Sequence, residues 1–175
     1  MRRGIAIVGA HRGSKLKAPY GHPSCEIWSC SERNENELPR VDIWFGLHPF
    51  RLPDWPKAEY LGWLAGLRTV YTRAPCEEIP GAVSYPKDEM VERFGRFFFE
   101  NPCGSTPAWM MALAITRKPP AIGIYGVHAE GDFAAQGHGM QHFMQIARRE
   151  GIEIICPTPL DAPGTLYAFE EMGSV

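Results

Sequence analysis

Gly4-Ile5-Ala6-Ile7-Val8-Gly9-Ala10-His11-Arg12-Gly13-Ser14-Lys15 is the stretch on which the fold turns. Its first half is a continuous, β-branched apolar run bounded by glycine, the pattern of a strand buried on both faces. Its second half switches to Gly, Ser and basic residues, a polar turn in which the glycines permit tight bends. A buried strand followed at once by such a turn belongs to a parallel sheet, whose ligands sit beyond the carboxyl ends of the strands.

The same grammar recurs along the chain. Short apolar runs at Glu26–Cys30, Val41–Gly46, Arg68–Thr72, Ala82–Tyr85, Ala121–Gly126 and Ile152–Cys156 read as further strands. Helical periodicity fills the gaps at Lys57–Leu67, Lys87–Phe97, Pro107–Arg117 and Met140–Glu150, with a weaker helix near Ala162–Met172. Pro107–Arg117 is apolar all round and is expected deep in the protein, while Gly151 supplies a stop after Met140–Glu150. Strands alternating with helices imply parallel neighbours joined by helical crossovers. The chain therefore reads as an α/β protein: one Rossmann-like domain spanning residues 1–175, with a mostly parallel six- or seven-stranded sheet flanked by helices.

Composition narrows the function classes. Among 175 residues, 18 Lys+Arg stand against 20 Asp+Glu, a net charge of -2, which argues against a broad basic face for nucleic acid. No apolar run approaches the ~18–20 residues that span a bilayer, so a cytoplasmic protein without membrane contact is expected. The 5 cysteines are scattered, form no CxxC pair and have no histidine at zinc-finger spacing, so reduced thiols and no metal are expected. No DxD-type pair stands near a strand end to clamp a diphosphate through a metal. The 18 Gly and 16 Pro imply short elements joined by shaped loops.

The candidate site residues follow from the strand ends. Gly9, Arg12, Gly13 and Ser14, with Lys15 beside them, make a loop suited to phosphate, although a polar turn after a strand explains it equally well. Ser31, Arg33 and Asn34 occupy the matching place after the second strand, where a ribose or base could be read. Gly104-Ser105-Thr106 precede the apolar helix. A Ser/Thr cap followed by Pro107 contributes only ~1 kcal/mol and accounts for the motif by itself, yet N–H groups at the positive end of a buried helix also suit an anion. His48 ends the third strand, and His128, His138 and His142 follow the sixth. His138 and His142 would share a face if their helix began early enough, but Gly137 and Gly139 argue against that start. A neutral-range histidine facing the loops would serve as general base or acid.

These pieces, in this order, resemble the Rossmann-like core shared by family 42 sialyltransferases and the motility-accessory-factor glycosyltransferases. They are still more similar to small phage and prophage proteins with the same skeleton. The resemblance rests on Ile5–Ser14, Ala18-Pro19 leading to Glu26-Ile27-Trp28 and Ser31, and Trp44-Phe45 with His48-Pro49. It continues through Gly104-Ser105-Thr106 before Met110-Ala112-Leu113-Ala114, then Ile122–Val127, and Gly151-Ile152 before Cys156-Pro157. It implies a nucleotide or nucleotide-sugar pocket in which the first loop and the Ser/Thr-headed helix contact the nucleotide, and a histidine after the sixth strand, here His138 or His142, assists transfer. Two departures stand out. His128 occupies a position that is usually Asp in the family, and the acceptor-binding lid of full-size enzymes is missing.

Three functions compete. The first is a glycosyl- or related transferase using a nucleotide-activated donor, with no separate cofactor. The second is a non-catalytic module sequestering a nucleotide, in the host cytoplasm if phage-encoded. The third is a structural or partner-binding protein using Trp55, Trp63 and the nearby Pro-rich loop. Homo-oligomerisation is compatible with all three.

Overall fold

A computed structural model describes residues 2–31, 34, 37–47, 58–96, 99, 104–127 and 134–157. Seven strands form one sheet in the order β5-β4-β3-β2-β1-β6-β7, every neighbouring pair parallel. They are β1 Gly4–Val8, β2 Cys25–Cys30, β3 Ile43–Gly46, β4 Val70–Thr72, β5 Ala82–Ser84, β6 Ala121–Tyr125 and β7 Glu153–Ile155. The helices are α1 Arg12–Lys15, α2 Ala58–Ala65, α3 Lys87–Phe94, α4 Thr106–Thr116 and α5 Ala134–Arg149. The Rossmann-like α/β architecture read from the sequence is the one observed.

Alternation along the strands sorts the core onto two faces, because successive side chains point to opposite sides of a sheet. Ile5, Ile7, Trp28, Cys30, Phe45, Ile122 and Ile124 lie on the face covered by α3, α4 and α5. Ala6, Val8, Ile27 and Tyr125 lie on the other, under Ala18, Tyr20 and Leu38, while Trp44 and Val70 pack beneath Tyr60 and Leu64 of α2. The change of face follows the change of direction. From β1 to β5 the chain steps one way across the sheet; after β5 it returns to the far side of β1, and right-handed crossovers must then use the opposite face.

Helix α4 is the keystone of the first face. Ala108 through Ile115 are all buried, as the uniformly apolar run requires. At ~1.5–3 kcal/mol for each large side chain, Trp109, Met110, Met111, Leu113 and Ile115 outweigh any propensity term. Its direction is fixed at both ends. Tyr85, just past β5, donates its hydroxyl to the Trp109 carbonyl (2.7 Å), and Arg117, just past the helix, donates to Glu26 at the start of β2 (3.2 Å). The N-terminus of α4 therefore stands at the carboxyl edge of the sheet and its C-terminus at the amino edge.

Two elements differ from the sequence reading. The polar turn after β1 contains the single-turn helix α1, capped by His11, whose Nδ1 accepts the Gly13 N–H (3.3 Å). Helix α5 begins at Ala134 rather than near residue 140, so Gly137 and Gly139 are inside it. Each glycine costs about 1 kcal/mol relative to alanine, but both are buried, where the absence of a side chain lets the helix pack closely. Trp63, expected as an interface residue, is half-buried, with its ring 4.7 Å from Trp44 and 6.0 Å from Tyr60. Trp55, His48, Arg33, His128 and the helix expected near Ala162–Met172 lie outside the described residues. Among the described residues, no helix is long and apolar enough to cross a membrane.

Candidate functional site

The carboxyl ends of β1 and β6 are where the chain diverges, one strand leading to α1 on one face and the other to α5 on the opposite face. In open parallel sheets this switch point is where a ligand crevice forms. Here the two departing loops touch through their backbones. Gly9 N–H donates to the Tyr125 carbonyl and His11 N–H to the Gly126 carbonyl, both at 2.8 Å. A Cβ on Gly9 would fall 2.4 Å from the Gly126 oxygen. Gly126 has φ +61°, and a Cβ there would meet the Gly9 oxygen and the Lys15 Cβ, each at 2.7 Å. Only glycine fits either position.

The polar side chains around this crossing mostly hold the scaffold. Ser14 is buried, and its Oγ accepts the Gly126 N–H (2.7 Å), so this hydroxyl ties α1 to β6. Asn34 is fully buried. Its amide donates to the Gly9 carbonyl (3.0 Å), Ser29 Oγ (3.1 Å) and the Cys30 carbonyl (3.2 Å), and its Oδ1 accepts from Lys15 Nζ (3.1 Å). Ser29 in turn donates to the Val8 carbonyl (2.9 Å). Lys15 is buried as well, and its ammonium also donates to the half-exposed Glu37 carboxylate, whose pKa that hydrogen bond and charge pull down. The sequence offered Ser14, Lys15 and Asn34 to a ligand; the structure spends them on joining the loops after β1, β2 and β6. Glu37 and Ser29 were missed. A lone hydroxyl in the otherwise apolar Ile27-Trp28-Ser29-Cys30 was the available signal for Ser29.

Other groups remain facing outward. Arg12 and Gly13 are exposed at the tip of the loop. Ser31, partly exposed at the end of β2, holds φ at +78°, a conformation uncommon outside glycine and concentrated where a site fixes the backbone. Ser105 is the N-cap of α4, its Oγ accepting the Ala108 N–H (3.3 Å), with Gly104 and Thr106 partly exposed on either side. Helix α4 packs against β1 and β2. Its start and the α1 loop thus flank the same strand ends from opposite faces. Cys30 is close by, but burial pushes its thiol up to about 12, which removes it as a nucleophile.

The early start of α5 places His138 and His142 four residues apart on one helix, so they share a face. The helix ends beside the start of β7, where Glu153 N–H donates to the Pro120 carbonyl, so its N-terminus lies at the carboxyl edge. At 1.5 Å per residue, His138 sits about 6 Å along the helix from Ala134 and His142 about 12 Å. His142 is also half-buried, its ring 5.5 Å from that of Phe143. Burial, with help from Arg149, lowers its pKa below 6.5. The unfolded chain therefore binds a proton at this position more readily than the folded chain. Stability should climb with pH through the window below 6.5 and level off above it. Replacing His142 with Gln is expected to flatten that climb, as read from urea midpoints between about pH 5 and pH 7.

No family model matches the chain, and no curated protein matches it in sequence. Solved structures do match it in fold. The sialyltransferase CstII from Campylobacter jejuni, in complex with the substrate analogue cytidine-5'-monophosphate, superposes with a TM-score of 0.57 at 12% identity, over 95% of this chain and 83% of that one. The same enzyme in complex with CMP-3FNeuAc gives 0.56 at 11% identity, with the same coverage. At these identities the likeness establishes a glycosyltransferase-like Rossmann fold.

Proposed function

We propose that this protein binds a nucleotide or nucleotide-sugar at the carboxyl edge of its sheet and acts as a glycosyl- or related transferase. The observation that carries this reading is the flanking of the β1 and β2 ends by the α1 loop and the start of α4. The fold neighbours add weight, since they hold CMP and CMP-3FNeuAc. The nucleotide contacts are assigned to Arg12, Gly13, Ser31, Gly104, Ser105 and Thr106. Gly9, Ser14 and Asn34 shape the loop that presents them. His138 is favoured over His142 as general base, because it lies nearer the carboxyl edge; His48 keeps its sequence assignment beside them.

In this mechanism the acceptor hydroxyl gives its proton to His138 as its oxygen bonds to the anomeric carbon of the donor. The bond from that carbon to the phosphate oxygen breaks, and the nucleotide leaves with the electron pair, steadied by Arg12 and the amides at the start of α4. The test is a thermal-shift panel of CMP, UMP, AMP and GMP, followed by donor-hydrolysis assays. A ligand at 100 times its Kd adds ~2.7 kcal/mol, roughly 5–10 °C for a chain of this size. One nucleotide should produce that shift in the wild type and a much smaller one in Arg12→Ala. His138→Ala should keep the shift and lose turnover by about 10²-fold or more. If no nucleotide moves Tm, the reading fails. Binding without turnover favours a sequestering module, to which the His128 departure also points.

A further inference from the structure

We infer that Arg73, Lys87 and Trp109 form an anion-holding subsite that takes the carboxylate or phosphate of an acidic acceptor; the acceptor assignment rests on the transferase reading above. Arg73 is the first residue beyond β4, and Lys87 opens α3 directly after β5. These two strand ends are joined by the Tyr85 N–H donating to the Thr72 carbonyl (2.8 Å). Both side chains therefore start from the carboxyl edge. They converge on one ring: Arg73 Cζ is 5.4 Å and Lys87 Nζ 5.9 Å from the centroid of the Trp109 indole.

Cation–π attraction explains why each chain rests there, at roughly 0.5–1 kcal/mol apiece. It does not explain why two like charges share one ring, since their mutual repulsion opposes the arrangement. Nothing compensates at Arg73, which is exposed and, among the described residues, forms no ion pair; Asp88 and Glu89, next along α3, do not reach it. Trp109 is only 5% exposed, with Tyr85 and Phe99 on it at 5.1 and 5.3 Å, so the ring is a platform and cannot itself stack on a base. A guest at this spot meets the cations, and a bridging carboxylate or phosphate would relieve their repulsion by accepting from both. The pair stands beyond β4 and β5, away from the β1 and β2 ends assigned to the nucleotide. That separation suits the second substrate of a transfer.

The indole N–H resonance of Trp109, identified by its loss in Trp109→Phe, reports on the subsite directly. Inorganic phosphate and glucuronate, titrated separately into the full chain at low salt, distinguish the two anion types. A saturable shift with either is expected, weakened at least about tenfold in Arg73→Gln/Lys87→Gln, while the nucleotide-induced rise in Tm is unchanged. Arg73→Gln alone, at an exposed position, provides a variant whose folding is not at stake and should show most of the loss. No saturable shift with either anion, or titration of both variants like the wild type, overturns the subsite. A saturable shift in a protein that binds no nucleotide overturns the acceptor assignment and leaves an anion site alone.

Discussion

Gly9→Ala is expected to lower the unfolding free energy by about 3–4 kcal/mol, well above the ordinary point substitution. The new methyl would sit 2.4 Å from the Gly126 carbonyl oxygen and 2.9 Å from its carbon. Both obstacles are backbone, so no rotamer change relieves the clash. Relief requires β1 and β6 to part at their carboxyl ends, which strains the 2.8 Å hydrogen bonds from Gly9 to Tyr125 and from His11 to Gly126. For a domain of this size the loss corresponds to roughly 6–16 °C in Tm. Because the same movement displaces Arg12 and Gly13, any nucleotide-induced stabilisation should disappear with it. Gly62, in contrast, has nothing within 4 Å of an added Cβ and lies in α2. Gly62→Ala should be neutral or raise stability by up to about 1 kcal/mol. A Gly9→Ala protein melting with the wild type would mean that the β1–β6 contact is looser than described.

The contrast between those glycines shows what a sequence can and cannot say. Runs such as Ile5–Val8 and Ile122–Tyr125 announce buried strands because β-branched residues without a polar face have few other uses, and α4 was legible for the same reason. Their alternation with helices fixed the parallel sheet, and the strand ends pointed to the carboxyl edge. Helix α5 defeated the reading at its start, because Gly137 and Gly139 carry a local penalty that only tertiary packing offsets. The candidate site divided along similar lines. Arg12 and Ser105 could be found from position alone. Ser14 and Asn34 looked like ligand contacts because loop polarity does not reveal the partner. The partners of Ser14 and Asn34 include Gly126, 112 residues away, and Gly9, 25 residues away. Arg73 and Lys87 gave no signal, since nothing local ties either to a tryptophan in another helix.

Asn34→Ala is the second substitution with a large expected effect, about 3 kcal/mol, of the size seen when a buried polar network loses its hub. Three acceptors lose their donor at once: the Gly9 and Cys30 carbonyls and Ser29 Oγ. Lys15 loses the acceptor at 3.1 Å and keeps only Glu37, so a buried ammonium is left under-coordinated. Asn34→Asp separates hydrogen bonding from charge. It restores an acceptor to Lys15, with added attraction, but offers no N–H to the three oxygens and sets a carboxylate against them. If the donated bonds dominate, Asn34→Asp should be nearly as unstable as Asn34→Ala; if the lysine contact dominates, it should recover most of the loss. The three-to-one ratio of lost bonds favours the first outcome, measurable as urea midpoints at pH 7. Glu37→Gln provides the control at the rim. The Glu37 carboxyl pKa is lowered in the fold, so its contribution is present above the unfolded value and fades as pH falls through the folded one. The difference between wild type and Glu37→Gln should therefore shrink on acidification, whereas the Asn34→Ala deficit should persist, because the bonds that it removes carry no titrating proton.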